Sequence, residues 1–190
     1  VADVVGRHGG RATVAVGPFT AGDNRPEPAF STMKVPLAIA ALRQDQAFYP
    51  DAEAAVTRSD NPAAHRMFGQ VPAAGYEGVI REAGARTTTP AGYQMGTMWT
   101  TSDQAEFASG LRCVAGYEPV LDMMGRIVDY QHWGLGRIGG ARFKGGWNHH
   151  EGGHLARQFG LIPGPNGDIA VAITAHSPKG HEGSFAMLDE

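Results

Sequence analysis

Apolar and polar positions change their period along the chain. Residues 12 to 19, ATVAVGPF, read as a strand, TAGDNRP as a turn, and EPAF as a short second strand leading to Ser31. The run from Val35 to Leu42 is almost wholly apolar, and the pattern predicts a buried helix over 32–46. Pro36 falls early enough in it that its missing N–H costs little. After a loop through Tyr49-Pro50, Ser59 or Asp60 is placed to cap a short helix. Further helical stretches are predicted over 76–83, 102–113 and 118–128, with Gly84 as a stop. The intervening GARTTTPAGYQMGTMWTT reads as a loop.

From Gly139 onward the pattern turns strand-like again. GARFKGGW and GHLARQFGLI precede the turn PGPNGD, whose Asn166-Gly167 pair signals a hairpin, and IAVAITA follows. The tail GSFAMLDE starts a helix that the chain hardly finishes. At the other end, Val1, Val4 and Val5 before Gly9-Gly10 read as the last turn of a helix, as in a trimmed mature form. Strands at both termini and helices between them predict an α+β fold: one antiparallel sheet built from the two ends, with a helical lobe inserted.

The chain's 190 residues suit one domain or two small lobes. A net charge of −3 and the lack of a basic stripe argue against nucleic acid as a partner. No apolar run approaches the roughly 20 residues of a membrane span. Cys113 is the only cysteine, so there is no internal disulfide and no cysteine-based metal site. Three lysines stand against thirteen arginines. Arginine is the generic surface cation here, so Lys34, Lys144 and Lys179 each invite a specific explanation. A buried lysine can shift its pKa and act as a base, which arginine cannot.

Ser31 and Lys34 sit three residues apart at the mouth of the apolar helix, where i and i+3 side chains are neighbours. A neutral lysine there could take the serine proton, and a backbone N–H could hold an oxyanion. The bland reading is a capping serine beside a snorkelling lysine. Ser59-Asp60-Asn61 reads equally as a capped polar turn. Lys144-Gly145-Gly146 reads as close-packed glycines in a strand with an exposed lysine.

In the order S-x-x-K, S-D-N, K-x-G, the three form the signature of the penicillin-recognising serine enzymes. The sequence resembles that superfamily, the class A β-lactamases and penicillin-binding proteins, over nearly its whole length. The resemblance implies a single β-lactamase-like domain over 1–190, with 1–30 and 139–190 as the sheet lobe and 31–138 as the helical lobe. It implies Ser31 as nucleophile, Lys34 as its base and Ser59 as proton donor toward the leaving nitrogen. Asn61 would hold an acylamide side chain and Lys144 a substrate carboxylate. Gly146 and Trp147 would line the substrate strand, with the oxyanion between the N–H groups of Ser31 and Trp147. The expected partner is a small molecule or a peptidoglycan peptide, with no cofactor and no metal, at an extracytoplasmic location.

Three departures qualify this. Only 28 positions separate Ser31 from Ser59, so the helical lobe must be trimmed. The region matching the Ω-loop of class A enzymes, 83–102, holds no Asp or Glu, and without a base in reach an acyl-enzyme should be long-lived. Gly145 replaces the usual hydroxyl residue, removing a donor whose loss typically costs about 1–3 kcal/mol.

Other residues point elsewhere. NHHEGGH offers His149, His150, Glu151 and His154, but neighbouring histidines would point apart, and a solvated turn is the expectation. Glu151 could replace the missing base only if its loop folded over Ser31. Trp99 and Trp133 are expected in the core, Trp147 in the cleft, and Cys113 as an inert core thiol beside Phe107 and Leu111. His65 is expected on a helix face; Tyr76 and Tyr93 could line the cleft. Two function classes follow: a serine acyl-transferring hydrolase with doubtful turnover of β-lactams, or a non-catalytic β-lactamase-like binding module.

Overall fold

A computed structural model describes residues 1–86, 89–90 and 97–190. A five-stranded antiparallel sheet is built from both ends of the chain. Its strands are β1 (Arg11–Val16), β2 (Phe19–Gly22), β6 (Arg142–His150), β7 (Gly153–Gly164) and β8 (Gly167–Ser177), in the order β2-β1-β8-β7-β6. Helices α1 (Ala2–His8) and α8 (Gly180–Leu188) cover one face with the 133–137 segment. Helix α6 (Thr101–Gly110) packs on the other. The remaining helices are α2 (Lys34–Gln44), α3 (Tyr49–Thr57), α4 (Asn61–Phe68), α5 (Ala73–Glu82) and α7 (Glu118–Met124). They pack around α2, whose residues from Lys34 to Leu42 are all buried.

Several boundaries differ from the sequence reading. The first strand ends at Val16, because Gly17 adopts φ 53° and turns the chain. Phe19 then opens β2 on the sheet edge, so part of the expected TAGDNRP turn is strand. The expected loop after Gly84 contains β4 (Thr89–Pro90) and β5 (Thr97–Trp99). They join β3 (Glu27–Pro28) in a small sheet of order β3-β5-β4. The first α-helical residue of the apolar run is Lys34, not Thr32, because Phe30–Met33 forms a tighter 3-10 turn. The tail is a full helix, α8, rather than an unfinished one. Cys113 is exposed: the α6 period ends at Gly110, and the 3-10 turn Leu111–Cys113 buries only Leu111. Tyr76 is a core residue against Phe68, whereas Tyr93 lies outside the described residues.

Candidate active site

The Phe30–Met33 turn delivers Ser31 and Lys34 to one side of the chain, since i and i+3 side chains eclipse in a 3-10 turn. Ser31 is half-buried and Lys34 fully buried. Phe30 is held at φ 47°, a strained region for a residue with a Cβ. Ser59 is likewise at φ 59°, just before the Asp60 side chain caps α4 by accepting from Ala63 N at 2.7 Å. Only three non-glycine residues among those described have positive φ, and two of them flank this site. Such strain persists where surrounding structure over-determines it, and it clusters at functional positions.

The Ser59 hydroxyl stands between two buried amines. Lys34 Nζ lies 3.2 Å from Ser59 Oγ, and Lys144 Nζ lies 3.1 Å from it. Lys34 also donates to the Ser59 carbonyl and, at 2.8 Å, to Asn61 Oδ1. Lys144 donates to the Gly145 carbonyl at 2.8 Å. Burial pulls Lys34 down to about 7, against an opposing pull from Asp60. Lys144 is held well below the ordinary lysine range, first by burial and then by Lys34 itself. Two ammonium groups sharing one hydroxyl in a dry site repel, so the pair favours holding fewer than two charges.

Strand β6 closes the site from the side. It is the sheet edge, and its hairpin to β7 turns through Glu151 and Gly152, both at positive φ. A two-residue turn makes His150↔Gly153 a hydrogen-bonded pair. The alternation then leaves the N–H and C=O of Gly145 and Trp147 directed away from β7, toward the free edge. The Lys144 contact to Gly145 O agrees with that parity. Gly146 presses its backbone on the nucleophile turn: a Cβ there would lie 2.9 Å from both Ala29 O and Ser31 N. The Ser31 backbone N therefore lies against Gly146, the residue before Trp147.

Solved structures share the whole architecture. The TLA-3 extended-spectrum β-lactamase superposes with a TM-score of 0.81 at 16% identity, covering 98% of this chain and 92% of that one. A β-lactamase from Sphaerobacter thermophilus DSM 20745 gives 0.77 at 19% identity over 99% and 92%. A variant of the last common ancestor of Gram-negative bacteria β-lactamase class A gives 0.74 at 21% identity over 99% and 92%. The chain has the class A β-lactamase fold. No protein-family model and no curated protein matches its sequence.

Within the β-lactamase fold, Lys34 and Lys144 meet at the Ser59 hydroxyl, Asn61 joins through Lys34, and Gly146 lies against the Ser31 backbone N. The Lys34 hydrogen bonds go to the 59–61 turn and not to Ser31, so the amine expected to act as base is turned toward Ser59 in this arrangement. Asn61 is engaged by the same amine. The Trp147 side chain is not in the cleft. It projects from the opposite face of β6, edge-on to Trp133 and Phe185, and only its backbone belongs to the cleft edge. Glu151 is bound to Arg11 at 2.8 Å and does not fold over Ser31. His149 and His150 do point apart, toward His154 and Glu27 respectively. Among the described residues no group of three His, Cys, Asp or Glu is arranged to hold a metal. Part of the Ω-loop region read as acid-free, 87–88 and 91–96, lies outside the described residues.

The sequence reading missed the layer under the nucleophile turn. Buried Arg157, Gln104 and Thr32 form a hydrogen-bonded chain there. The signal was an arginine in the middle of a strand, GHLARQFGLI, that is apolar on both sides of Arg157-Gln158.

Proposed function

We propose that the chain is a serine hydrolase or acyltransferase of the β-lactamase and penicillin-binding protein type, acting outside the cytoplasm. Ser31 attacks the carbonyl of a cell-wall peptide, a β-lactam or a related amide or ester. Its hydroxyl proton passes to Lys34, and the carbonyl oxygen takes the charge between the Ser31 and Trp147 N–H groups. Collapse breaks the C–N or C–O bond, and Ser59 delivers a proton to the leaving atom. Lys144 recharges Ser59 and attracts an anionic substrate group, while Asn61 and Gly146 border the acyl side chain. With no acidic residue in the 83–102 stretch, deacylation is slow.

The single observation that carries this reading is the Ser59 hydroxyl held between Lys34 and Lys144. A surface cap has no need of two buried amines, and burying them is costly unless they are used. One observation favours a second reading, a binding module that keeps the fold without turnover: Lys34 bonds to the 59–61 turn and leaves Ser31 without its base.

A fluorescent penicillin distinguishes them. The enzyme reading expects a stable adduct carrying the mass of one whole penicillin, since ring opening expels no fragment, and its loss in Ser31→Ala. The binding module expects no adduct with penicillins or simple esters. Rapid drug hydrolysis would contradict slow deacylation.

A further inference from the structure

A buried cation beneath the Ser31 turn takes no part in the chemistry above. Arg157 lies mid-strand in β7, cross-strand from Gly146 and from Thr174, so it leaves the sheet on the cleft face. It is fully buried, and among the described residues no carboxylate pairs with it. The nearby Glu27 carboxylate is taken by Arg11 at 2.7 Å and His150 at 2.9 Å. The guanidinium instead grips backbone. Nη1 donates to the carbonyls of Glu27 at 2.9 Å and Pro28 at 3.2 Å. Nε donates to Gln104 Oε1 at 2.9 Å, and Gln104 Nε2 donates to Thr32 Oγ1 at 2.8 Å. Thr32 in turn donates to the Ala29 carbonyl. Nη2 is buried with no partner.

An arginine in this position is expensive, and an apolar residue of similar size would usually stabilise the fold as well or better. Every contact it makes leads to residues 27–32, the segment that carries Ser31. That segment includes the strained Phe30 and needs to be fixed from more than one side. Gly146 supplies the cleft-edge side. Burial lowers Arg157 to about 9, so it is still a cation at neutral pH.

We infer that Arg157 is a positioning residue for the Ser31 turn: through the 27 and 28 carbonyls and the Gln104–Thr32 link it fixes the backbone donor that meets the oxyanion, and its charge keeps that pocket positive. The inference rests on the proposed role of Ser31.

The test compares wild type, Arg157→Met and Arg157→Lys in their acylation rate by a fluorescent penicillin. It also reads the infrared stretch of the acyl-enzyme ester carbonyl, whose frequency falls as its oxygen is polarised. Arg157→Met should slow acylation about 100-fold, the scale of one lost oxyanion donor, and raise the carbonyl frequency. Arg157→Lys, which keeps charge without the fork, should recover about tenfold of that. A merely structural arginine would change folding stability and leave the frequency where it was. If Arg157→Met does not fold, Gln104→Leu carries the test, since it cuts the link to Thr32 and leaves the arginine in place. A folded variant with the wild-type rate and frequency overturns the inference while leaving the proposed function intact. A wild type that is never acylated at Ser31 overturns both.

Discussion

The Ser59 hydroxyl has one proton and two lone pairs, and an amine on either side of it. Lys34 has three acceptors in reach, enough for a full ammonium, whereas Lys144 has two. When Lys34 gives up its proton and becomes a base, Lys144 still donates to Ser59 Oγ and to Gly145 O. Burial is the first reason that both lysines fall below the ordinary range, and for Lys144 the neighbouring Lys34 charge adds to it. Gly146 is the other residue that admits no substitute. In Gly146→Ala the new methyl meets Ala29 O and Ser31 N at 2.9 Å, so the turn must shift. Acylation should fall tenfold or more, with about 1–3 kcal/mol lost in denaturant unfolding. The sequence marked Ser31, Lys34, Ser59 and Lys144 by motif order; hydrogen bonds join Lys34, Ser59 and Lys144, and the Ser31 backbone N lies against Gly146. The sequence reading misplaced the Trp147 indole by passing over strand alternation: Lys144 faces the cleft, so Trp147, three residues on, faces the other side.

At the scale of elements, α4 is short and depends on its first turn. Asp60 caps it and also supports the charge on Lys34. Asp60→Ala should cost about 0.5–2 kcal/mol in thermal or denaturant unfolding. The same change removes an opposite charge, so Lys34 should lose its proton at lower pH, and the midpoint of the acylation pH profile should move down. Helix α2 was legible from its apolar run, but its entry was not, because a 3-10 turn and an α-turn share one residue pattern. β4 and β5 were missed for a different reason. They are two and three residues long and exist only by pairing with each other and with Glu27–Pro28, far away in sequence. The strand read over 12–19 ran past Gly17-Pro18, although that pair is itself a turn signal.

For the whole molecule, the buried amines tie stability to pH. A lysine lowered to about 7 in the fold titrates at about 10.4 when unfolded. Between those values the unfolded chain binds more protons, so this contribution to stability rises with pH. Below about 7 both states are charged and the full cost of burying the ammonium is present. Chemical unfolding at about pH 7 and about pH 9 should show a higher midpoint at the higher pH, with the difference reduced in Lys34→Met. The overall architecture, one sheet from both termini with helices between, was legible because the strand signals lie at the two ends and the Asn166-Gly167 hairpin fixes β7 against β8. The polar layer of Arg157, Gln104 and Thr32 was not, because its members come from three distant elements and none carries a motif.

In the proposed mechanism burial makes Lys34 a base, and that base activates Ser31. The most direct measurement is the rate of Ser31 acylation by a penicillin from about pH 5 to about pH 9. The rate should climb as Lys34 loses its proton near pH 7 and then level, and it should collapse in Lys34→Arg. A rate independent of pH, or a Lys34→Arg variant acylated as fast as wild type, would contradict it.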